Sequence, residues 1–469
     1  MAGDGATVER LRQYLRELKP DARSLLIASL ERALLRGEDV AGADLVLQEL
    51  RRIFRDQRDG LPRVGNAARM FFVPLEPFMV DDAPNHKHPG RIARSALEPL
   101  WTWIRRDLLA EEAKVLADEI SDALLANDEP KSELLTRLFQ DRAAVTIERA
   151  LMAAAADEKA SRRMVAQIGT PRAIEDASTL MHVLKGRVAL DAIAARLPVQ
   201  IGNLADARLD ESKAMIDSAA AHDVDMFVYA LLTVMSRLAA PWQIIRLAIK
   251  AANSDSAARV AQTTYAIAVT IALAELERLV GELKSDLRSG RGVAVGALLK
   301  VIHDAARGLR TEMELNGDSA WGKQLAHLRG QISDLLKSEI DSMPGRVRRL
   351  LRPRPSTEIR ANAVLDAVDV AETEALVEFV GNCRYFANEL AINEMTQRAF
   401  SELQQYLDSG TRTLLDGLRH AGDSDRAFRQ SQVDAARRFS GKVFGPDYAV
   451  MLGKAAEVAK SGERKLAKA

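Results

Sequence analysis

The chain has 469 residues, of which 47% are hydrophobic and 28% charged; this is enough apolar material for two or three packed units and excludes wholesale disorder. Its 66 basic and 66 acidic side chains balance, so we expect no sequence-specific nucleic-acid binding, which needs a positive field. Aromatic residues make up only 5%, so aliphatic and alanine side chains must build the core, and such a composition favours helices.

Three helices are predicted at the start of the chain. The first places Leu11, Leu15 and Leu18 on one face and ends at Pro20, because proline cannot continue a helix. A second runs from about 21 to 36 and stops at Gly37, and a third follows from about 44 to 54.

An irregular segment is predicted at 58–91, where prolines and glycines break the helical pattern. Its stretch Phe-Phe-Val-Pro-Leu-Glu-Pro-Phe-Met-Val is held extended by Pro74 and Pro77, so its large side chains either cover a helical face or bind a partner. The first alternative is an internal lid on Trp101 and the first helices. The second assigns partner binding to four residues: Phe71, Phe72, Phe78 and Met79.

The same segment contains the best metal-binding candidates in the sequence. His86 and His88 alternate along an extended run beside Asp81 and Asp82, and imidazole with carboxylate suits zinc or iron. The alternative is an ordinary polar turn, which Lys87 and the flanking prolines favour. We therefore predict no metal ligands and no cofactor, and a metal-dependent enzyme centred on these histidines is the third-ranked function.

Helical periodicity returns at Leu97 and continues to about 124. Asp128 and Pro130 predict a new helix start, with Leu134, Leu135, Leu138 and Phe139 expected to face inward. Thr170 and Pro171 predict another start. These helices complete an N-terminal domain, 1–200.

A middle bundle is predicted at 201–342. Its elements include one long helix, from about 254 to 287, and a clean apolar stripe from Trp321 to Ile340 with spacings of three and four residues. Alternating spacings of this kind are typical of helices that pack at shallow angles in bundles.

A basic, proline-containing linker is predicted at 343–356, because Pro344, Pro353 and Pro355 should prevent a continuous helix. It carries the densest cluster of one charge sign, and we assign anion binding to its arginines: Arg346, Arg348, Arg349, Arg352 and Arg354. The alternative is a solvated interdomain linker tucked against acidic helices, because blocks of like charge are most often simply solvated.

A C-terminal helical arm and polar tail are predicted at 357–469. Its helical region should run from 357 to about 418, with an apolar stripe that changes face near Met395. The chain's single cysteine, Cys383, is expected to be a buried structural thiol in a protein of a reducing compartment, here the cytoplasm. No apolar run is long enough for a transmembrane helix.

The sequence thus predicts an all-α protein of elongated antiparallel helical bundles, in two or three units joined by proline-containing linkers. It contains no phosphate-binding loop, HExxH motif, paired CxxC motif or nucleophile elbow, and we predict no catalytic residues. The first-ranked function is a non-enzymatic helical scaffold or adaptor that binds protein partners, with self-association left open. The second is a peripheral membrane or tethering protein that uses the basic linker on anionic lipid.

Overall fold

The computed structural model describes residues 11–35 without 12 and 16, and then 40–57, 66–81, 88–126, 128–170, 172–288, 295–315, 317–360 and 363–466. Helices form nearly all regular structure in these ranges, which confirms the all-α prediction. The two-residue strands Met79–Val80 and Ile92–Ala93 pair in parallel, with Met79 beside Ile92. Across the described residues, no helix combines the length and the apolar character that a bilayer crossing requires.

The chain forms two compact units. The first contains the described residues up to Ile201 together with Asp210–Arg237, and the second contains Gly202–Leu209 and the described residues from Leu238 onwards. The ranges predicted as a middle bundle and a C-terminal arm both lie mainly in the second unit. The stretch 210–237, expected in the middle bundle, belongs to the first unit.

The helices of the first unit are α1 (Pro20–Leu35), α2 (Ala43–Gln57), α3 (Ala67–Phe72), α4 (Leu97–Trp103), α5 (Ala110–Leu125), α6 (Glu129–Ala156), α7 (Glu158–Ile168), α8 (Ala173–Arg196), α9 (Asp206–His222, shared with the second unit) and α10 (Met226–Ser236). A 3-10 helix, Val73–Phe78, follows α3, so the prediction that Pro74 and Pro77 hold this stretch extended is wrong; the φ that proline fixes also suits a 3-10 turn. Another 3-10 helix, Arg94–Ala96, precedes α4. A π-helical turn, Ile104–Leu108, follows α4.

Local signals explain several of these boundaries. The Asp128 side chain accepts a hydrogen bond from the Lys131 backbone N–H at 3.1 Å, and Pro130 occupies the first turn, which confirms the predicted start of α6. Helix α7 ends at Gly169, whose φ of +76° lies in the left-handed region that glycine tolerates best. The Thr170 start is wrong by two to three residues, since α8 begins at Ala173.

The predicted helices near the N-terminus share a small core. Leu15 packs with Ile27 of α1 and with Leu47, Leu50 and Ile53 of α2. This cluster confirms the inward face predicted for Leu15. The predicted inward orientation of Leu134 and Leu138 in α6 is wrong, because their side chains are exposed.

The helices of the second unit are α11 (Ile245–Ala252), α12 (Ala257–Val260), α13 (Ala266–Arg288), α14 (Val295–Glu312), α15 (Ala320–Leu351), α16 (Ala367–Phe386), α17 (Asn393–Arg419), α18 (Arg426–Phe444) and α19 (Pro446–Leu466). Two further 3-10 helices are Pro241–Ile244 and Ser356–Glu358. The long helix predicted from 254 to 287 is interrupted by a turn between α12 and α13.

Ion pairs show how the last bundle is arranged. Asp341 and Arg348 of α15 pair with Arg398 and Glu402 of α17, so these two helices run in the same direction. The pairs Glu374 with Arg438 and Glu378 with Lys442 show the same for α16 and α18. The loop after α16 reaches back to Arg329, near the start of α15, so α16 runs antiparallel to α15. The bundle therefore alternates direction from one helix to the next.

Two predictions about this half of the chain are wrong. Residues 343–351 are helix instead of linker: Pro344 lies inside α15, and it is buried together with Met343, Val347, Leu350 and Leu351. Burial of these apolar side chains offsets the one backbone hydrogen bond that Pro344 cannot make. The single helical region predicted from 357 to 418 is broken at 387–392, where Ala391 adopts a positive φ of 57°.

Candidate functional site

The arginines predicted to bind anions lie at the C-terminal end of α15. Arg348, Arg349, Arg352 and Arg354 line an open cavity of about 490 Å³, together with Gly345 and Glu358. Arg346 is exposed on the same helix but does not line the cavity. We call this surface, with its four arginines, the arginine cavity. The structure thus brings together four of the five predicted residues.

The backbone that carries these arginines is fixed by side chains of α18. Gln432, itself buried, donates Nε2 hydrogen bonds to the carbonyl oxygens of Leu350 at 3.1 Å and Arg352 at 2.9 Å. Arg429 donates to the carbonyl oxygen of Arg354 at 3.3 Å. The backbone of residues 350–354 is therefore held on the bundle, and the arginine side chains project from it.

A buried carboxylate completes this anchorage. Asp425 is 1% exposed and accepts hydrogen bonds from Arg429 Nε at 2.7 Å and from Ser356 Oγ at 2.8 Å. Burial alone would raise the pKa of Asp425, but the hydrogen bonds and the charge of Arg429 outweigh it and hold this pKa below its ordinary value. Asp425 therefore stays ionised and links α18 to the segment that follows the arginines.

The arginine side chains themselves remain at the surface. Arg348 pairs with Glu402 at 2.5 Å and lies over the ring of Tyr406, and the Arg354 guanidinium lies 5.1 Å from the centre of the Phe428 ring. The side chains of Arg349 and Arg352 form no hydrogen bond or ion pair with the part of the chain that the structure describes. Glu358 is the one acidic residue in the cavity lining. The cavity thus presents guanidinium groups with unused donors.

The residues predicted to bind a partner lie in the first unit, and most of them are in its core. Phe71 is fully buried with its ring centre 5.3 Å from that of Trp101 and 5.5 Å from that of Phe139. Phe72 packs edge-on against Phe71, and Phe78 against Tyr229. Contact with Trp101 is what the internal-lid alternative requires, although the other neighbours belong to α6 and α10 instead of the first helices.

Met79 is the half-buried member of this group. Its sulfur lies 3.7 Å from Nη1 of Arg94, and Met79 pairs with Ile92 in the short sheet. Gln140 of α6 donates a hydrogen bond to the carbonyl oxygen of Phe71 at 2.9 Å, which fixes the start of the segment. In this arrangement the three phenylalanine rings are not presented to a partner, and partner binding by the group stays a prediction.

The candidate metal segment is only partly described. His86 and Asp82 lie outside the described residues, His88 is buried, and Asp81 pairs with Arg94 at 2.9 Å. Among the side chains that the structure places, no three histidine, cysteine, aspartate or glutamate residues are grouped to hold a metal ion. Cys383 is buried, as predicted, and burial raises the pKa of its thiol to about 12, so this thiol is inert at neutral pH.

Sequence reasoning found the arginines but missed what positions them. Gln432, Arg429 and Asp425 lie 82, 75 and 69 residues beyond the groups that they bond, and no local pattern links them to 350–356. The only sequence signal was that an arginine-rich stretch also carried Val347, Leu350 and Leu351 at helical spacing. Comparisons with known protein families, with curated proteins and with solved structures find no match for this chain.

Proposed function

We propose that this protein is a non-enzymatic helical scaffold that binds an acidic segment of a partner protein in the arginine cavity. The observation that supports this function is the combination of a fixed backbone with exposed guanidinium groups at Arg349 and Arg352. A backbone that is already ordered loses little conformational entropy when a ligand binds, so more of the contact energy appears as affinity.

The chemistry of the cavity favours carboxylate-bearing or similarly charged ligands. A guanidinium presents a planar fork of donors that matches a carboxylate in bidentate geometry, and at an exposed position each such pair contributes about 0.2–1 kcal/mol. A volume of about 490 Å³ lies within the range of about 300–1,000 Å³ typical of ligand sites. Several acidic side chains of one segment fit in such a concave space.

The same concave shape favours a chain segment over a membrane surface. A flat bilayer contacts convex, projecting side chains, whereas Arg348, Arg349, Arg352 and Arg354 surround a depression. Peripheral membrane binding is therefore the competing function, and the experiment described next distinguishes the two. A metal-dependent enzyme at His86 and His88 is not proposed, because His86 lies outside the residues that the structure describes and no group of three possible ligands is found within them.

The test is binding of a fluorescent glutamate- and aspartate-rich peptide to the full chain, measured by anisotropy at low and high salt. We expect Arg349→Gln with Arg352→Gln to weaken binding at least tenfold, about 1.4 kcal/mol, and to reduce its salt dependence. The matched control is Arg259→Gln with Arg288→Gln, which removes the same charge from exposed positions of the second unit outside the cavity.

The outcomes separate the alternatives. Equal loss in both double variants would mean a nonspecific charge effect and would overturn the proposal. Binding to vesicles that contain anionic lipid, lost in the cavity variant while the peptide fails to bind the wild-type chain, would favour the membrane function instead.

We also propose that the protein acts in the cytoplasm. The support is limited to cysteine usage: the sequence has one cysteine, and Cys383 is buried, so no disulfide within the chain stabilises the fold. Imaging of a fluorescent fusion in the native host would test the location directly.

A further inference from the structure

One face of α6 in the first unit carries an exposed apolar stripe. Leu134, Leu138, Val145 and Met152 are 59%, 60%, 43% and 64% exposed, although the opposite face of the same helix carries its buried residues. Their spacings of four, seven and seven residues place them within one narrow sector of the helix. We call these four side chains the α6 stripe. A regular stripe of this kind is typical of a helix that pairs with another helix.

We propose that the α6 stripe is the contact surface of a two-fold symmetric dimer, in which α6 packs antiparallel against α6 of a second copy of this chain, centred on Val145. In a symmetric dimer the same surface patch is used by both copies and must be complementary to itself. The sequence of α6 meets this requirement in both its apolar and its charged positions.

The apolar positions match about this centre. With Val145 against its own copy, Leu138 stands level with Met152 of the second copy, and Leu134 with Ala156. Every exposed apolar residue of the stripe therefore meets an apolar residue. Shifting the register by one heptad, which moves the centre by about half a heptad towards the N-terminus, keeps Leu138 level with Val145 but places Met152 level with Lys131, which buries an ammonium group against the thioether.

The charged positions match about the same centre. Asp141 stands level with Arg149 of the second copy, and Arg142 with Glu148, so no like charges stand level between residues 134 and 156. A parallel pairing would instead place Asp141 beside Asp141 and Arg149 beside Arg149, which is repulsive. The match of apolar and charged positions therefore favours a second copy of α6, in antiparallel orientation, as the partner that covers the α6 stripe.

The charged side chains of α6 that would form these pairs can still accept or donate further hydrogen bonds. Asp141 bonds Arg187 at 3.1 Å through Oδ1 but is 62% exposed, so its carboxylate can accept a further donor. Glu148 pairs with Lys185 at 2.6 Å in the same way. The side chains of Arg142 and Arg149 are exposed and make no hydrogen bond or ion pair within the described ranges.

The decisive test is symmetric disulfide cross-linking of the full chain. Val145→Cys should cross-link to its own copy under mild oxidation, because the proposed two-fold axis passes beside residue 145 and brings the two Cα atoms within the roughly 7 Å that a disulfide spans. Met152→Cys is the matched control. Its two copies would be separated by about 21 Å along the helix axis and should not cross-link. Cys383 does not interfere, because its thiol is buried.

A second measurement uses sedimentation equilibrium and needs no oxidation. We expect the wild-type chain to be dimeric at or below about 100 µM, and Leu138→Glu with Met152→Glu to weaken association at least about tenfold. The control Val450→Glu introduces a charge at another exposed apolar position, on α19, and should leave the dimer intact. Melting temperatures that equal the wild type's at a concentration low enough to dissociate the dimer would show that the α6 variants fold, since both side chains are already exposed.

Three results would overturn the proposal. They are a wild-type chain that stays monomeric to that concentration, a dimer that survives both glutamates, and equal cross-linking at positions 145 and 152. The arginine cavity lies in the other unit, so none of these results depends on the proposed anion binding.

Discussion

The contacts of Asp425 show how one buried charge positions a whole segment. The carboxylate receives hydrogen bonds from Ser356 in the segment after α15 and from Arg429 in α18, and Arg429 also bonds the carbonyl oxygen of Arg354. An ionised carboxylate in such a place is stable only while its partners are present, since an unpaired buried charge is costly. The orientation of the arginine cavity therefore depends on an aspartate that does not line it.

Replacing Asp425 by asparagine should destabilise the fold, because the amide keeps the shape of the carboxylate but leaves the half-buried Arg429 without its anionic partner. We expect a loss of about 2 kcal/mol in the free energy of unfolding at pH 7, measured by urea denaturation. Asp423→Asn, at an exposed neighbour, is the control and should change this free energy by no more than about 0.5 kcal/mol.

The pH dependence of this difference has a definite sign. The folded pKa of Asp425 is lowered, so its stabilisation is fully present above the unfolded value of about 3.9 and is lost as the pH falls through the lower folded value. The gap between the wild-type chain and Asp425→Asn should therefore be constant from neutral pH to about 5 and shrink below about 4. A gap that widens in acid would contradict the assignment.

At the scale of elements, the sequence predicted helices well where caps and stripes coincide. Asp128 and Pro130 marked the start of α6. The start of α16 was missed: its helix was predicted from 357 but begins at Ala367, where Asp366 caps it by accepting a hydrogen bond from the Val368 backbone N–H at 2.8 Å. Prediction from the sequence failed where tertiary packing overrides a local rule. Pro344 remains inside α15 because its neighbours are buried, and the break at 387–392 is held by Arg329, which bonds the carbonyl oxygens of Asn388 and Glu389.

Helix α14 gives a test of packing against helix propensity. Gly308 is buried in α14, and a Cβ atom added there would lie 2.4 Å from the Trp242 ring. We expect Gly308→Ala to destabilise the chain by about 1–3 kcal/mol through overpacking, despite the gain of about 1 kcal/mol that alanine normally brings to a helix interior. Thermal or urea unfolding measures the change.

The matched control for this substitution is Gly330→Ala in α15. Gly330 is exposed, and an added Cβ atom would have no neighbour within 4 Å, so the helix-propensity gain should appear as a stabilisation of about 0.5–1 kcal/mol. Equal effects of the two substitutions would show that the ring of Trp242 moves aside without cost.

At the scale of the whole molecule, the partition into units was the least predictable feature. Proline-rich stretches suggested boundaries at 200 and 342, but α10, near residue 230, packs its Tyr229 on Phe78 of the first unit. The chain passes into the second unit at 202–209 and returns to the first at 210–237, and no change in amino-acid composition signals these crossings. The candidate site was likewise only partly predictable. Its arginines are close together in the sequence, whereas the side chains that anchor their backbone belong to a distant helix, α18.

Each unit has its own buried core, so we expect calorimetry of the full chain to show two unfolding transitions. Leu180 in α8 and Leu336 in α15 are both fully buried, one in each unit, and each replacement by alanine should cost about 2–5 kcal/mol. At about 2–4 °C per kcal/mol for units of this size, each variant should lower one transition by roughly 4–20 °C and leave the other in place. The two substitutions are controls for each other because they remove the same atoms. A single transition that both variants lower equally would mean that the two cores unfold as one cooperative body.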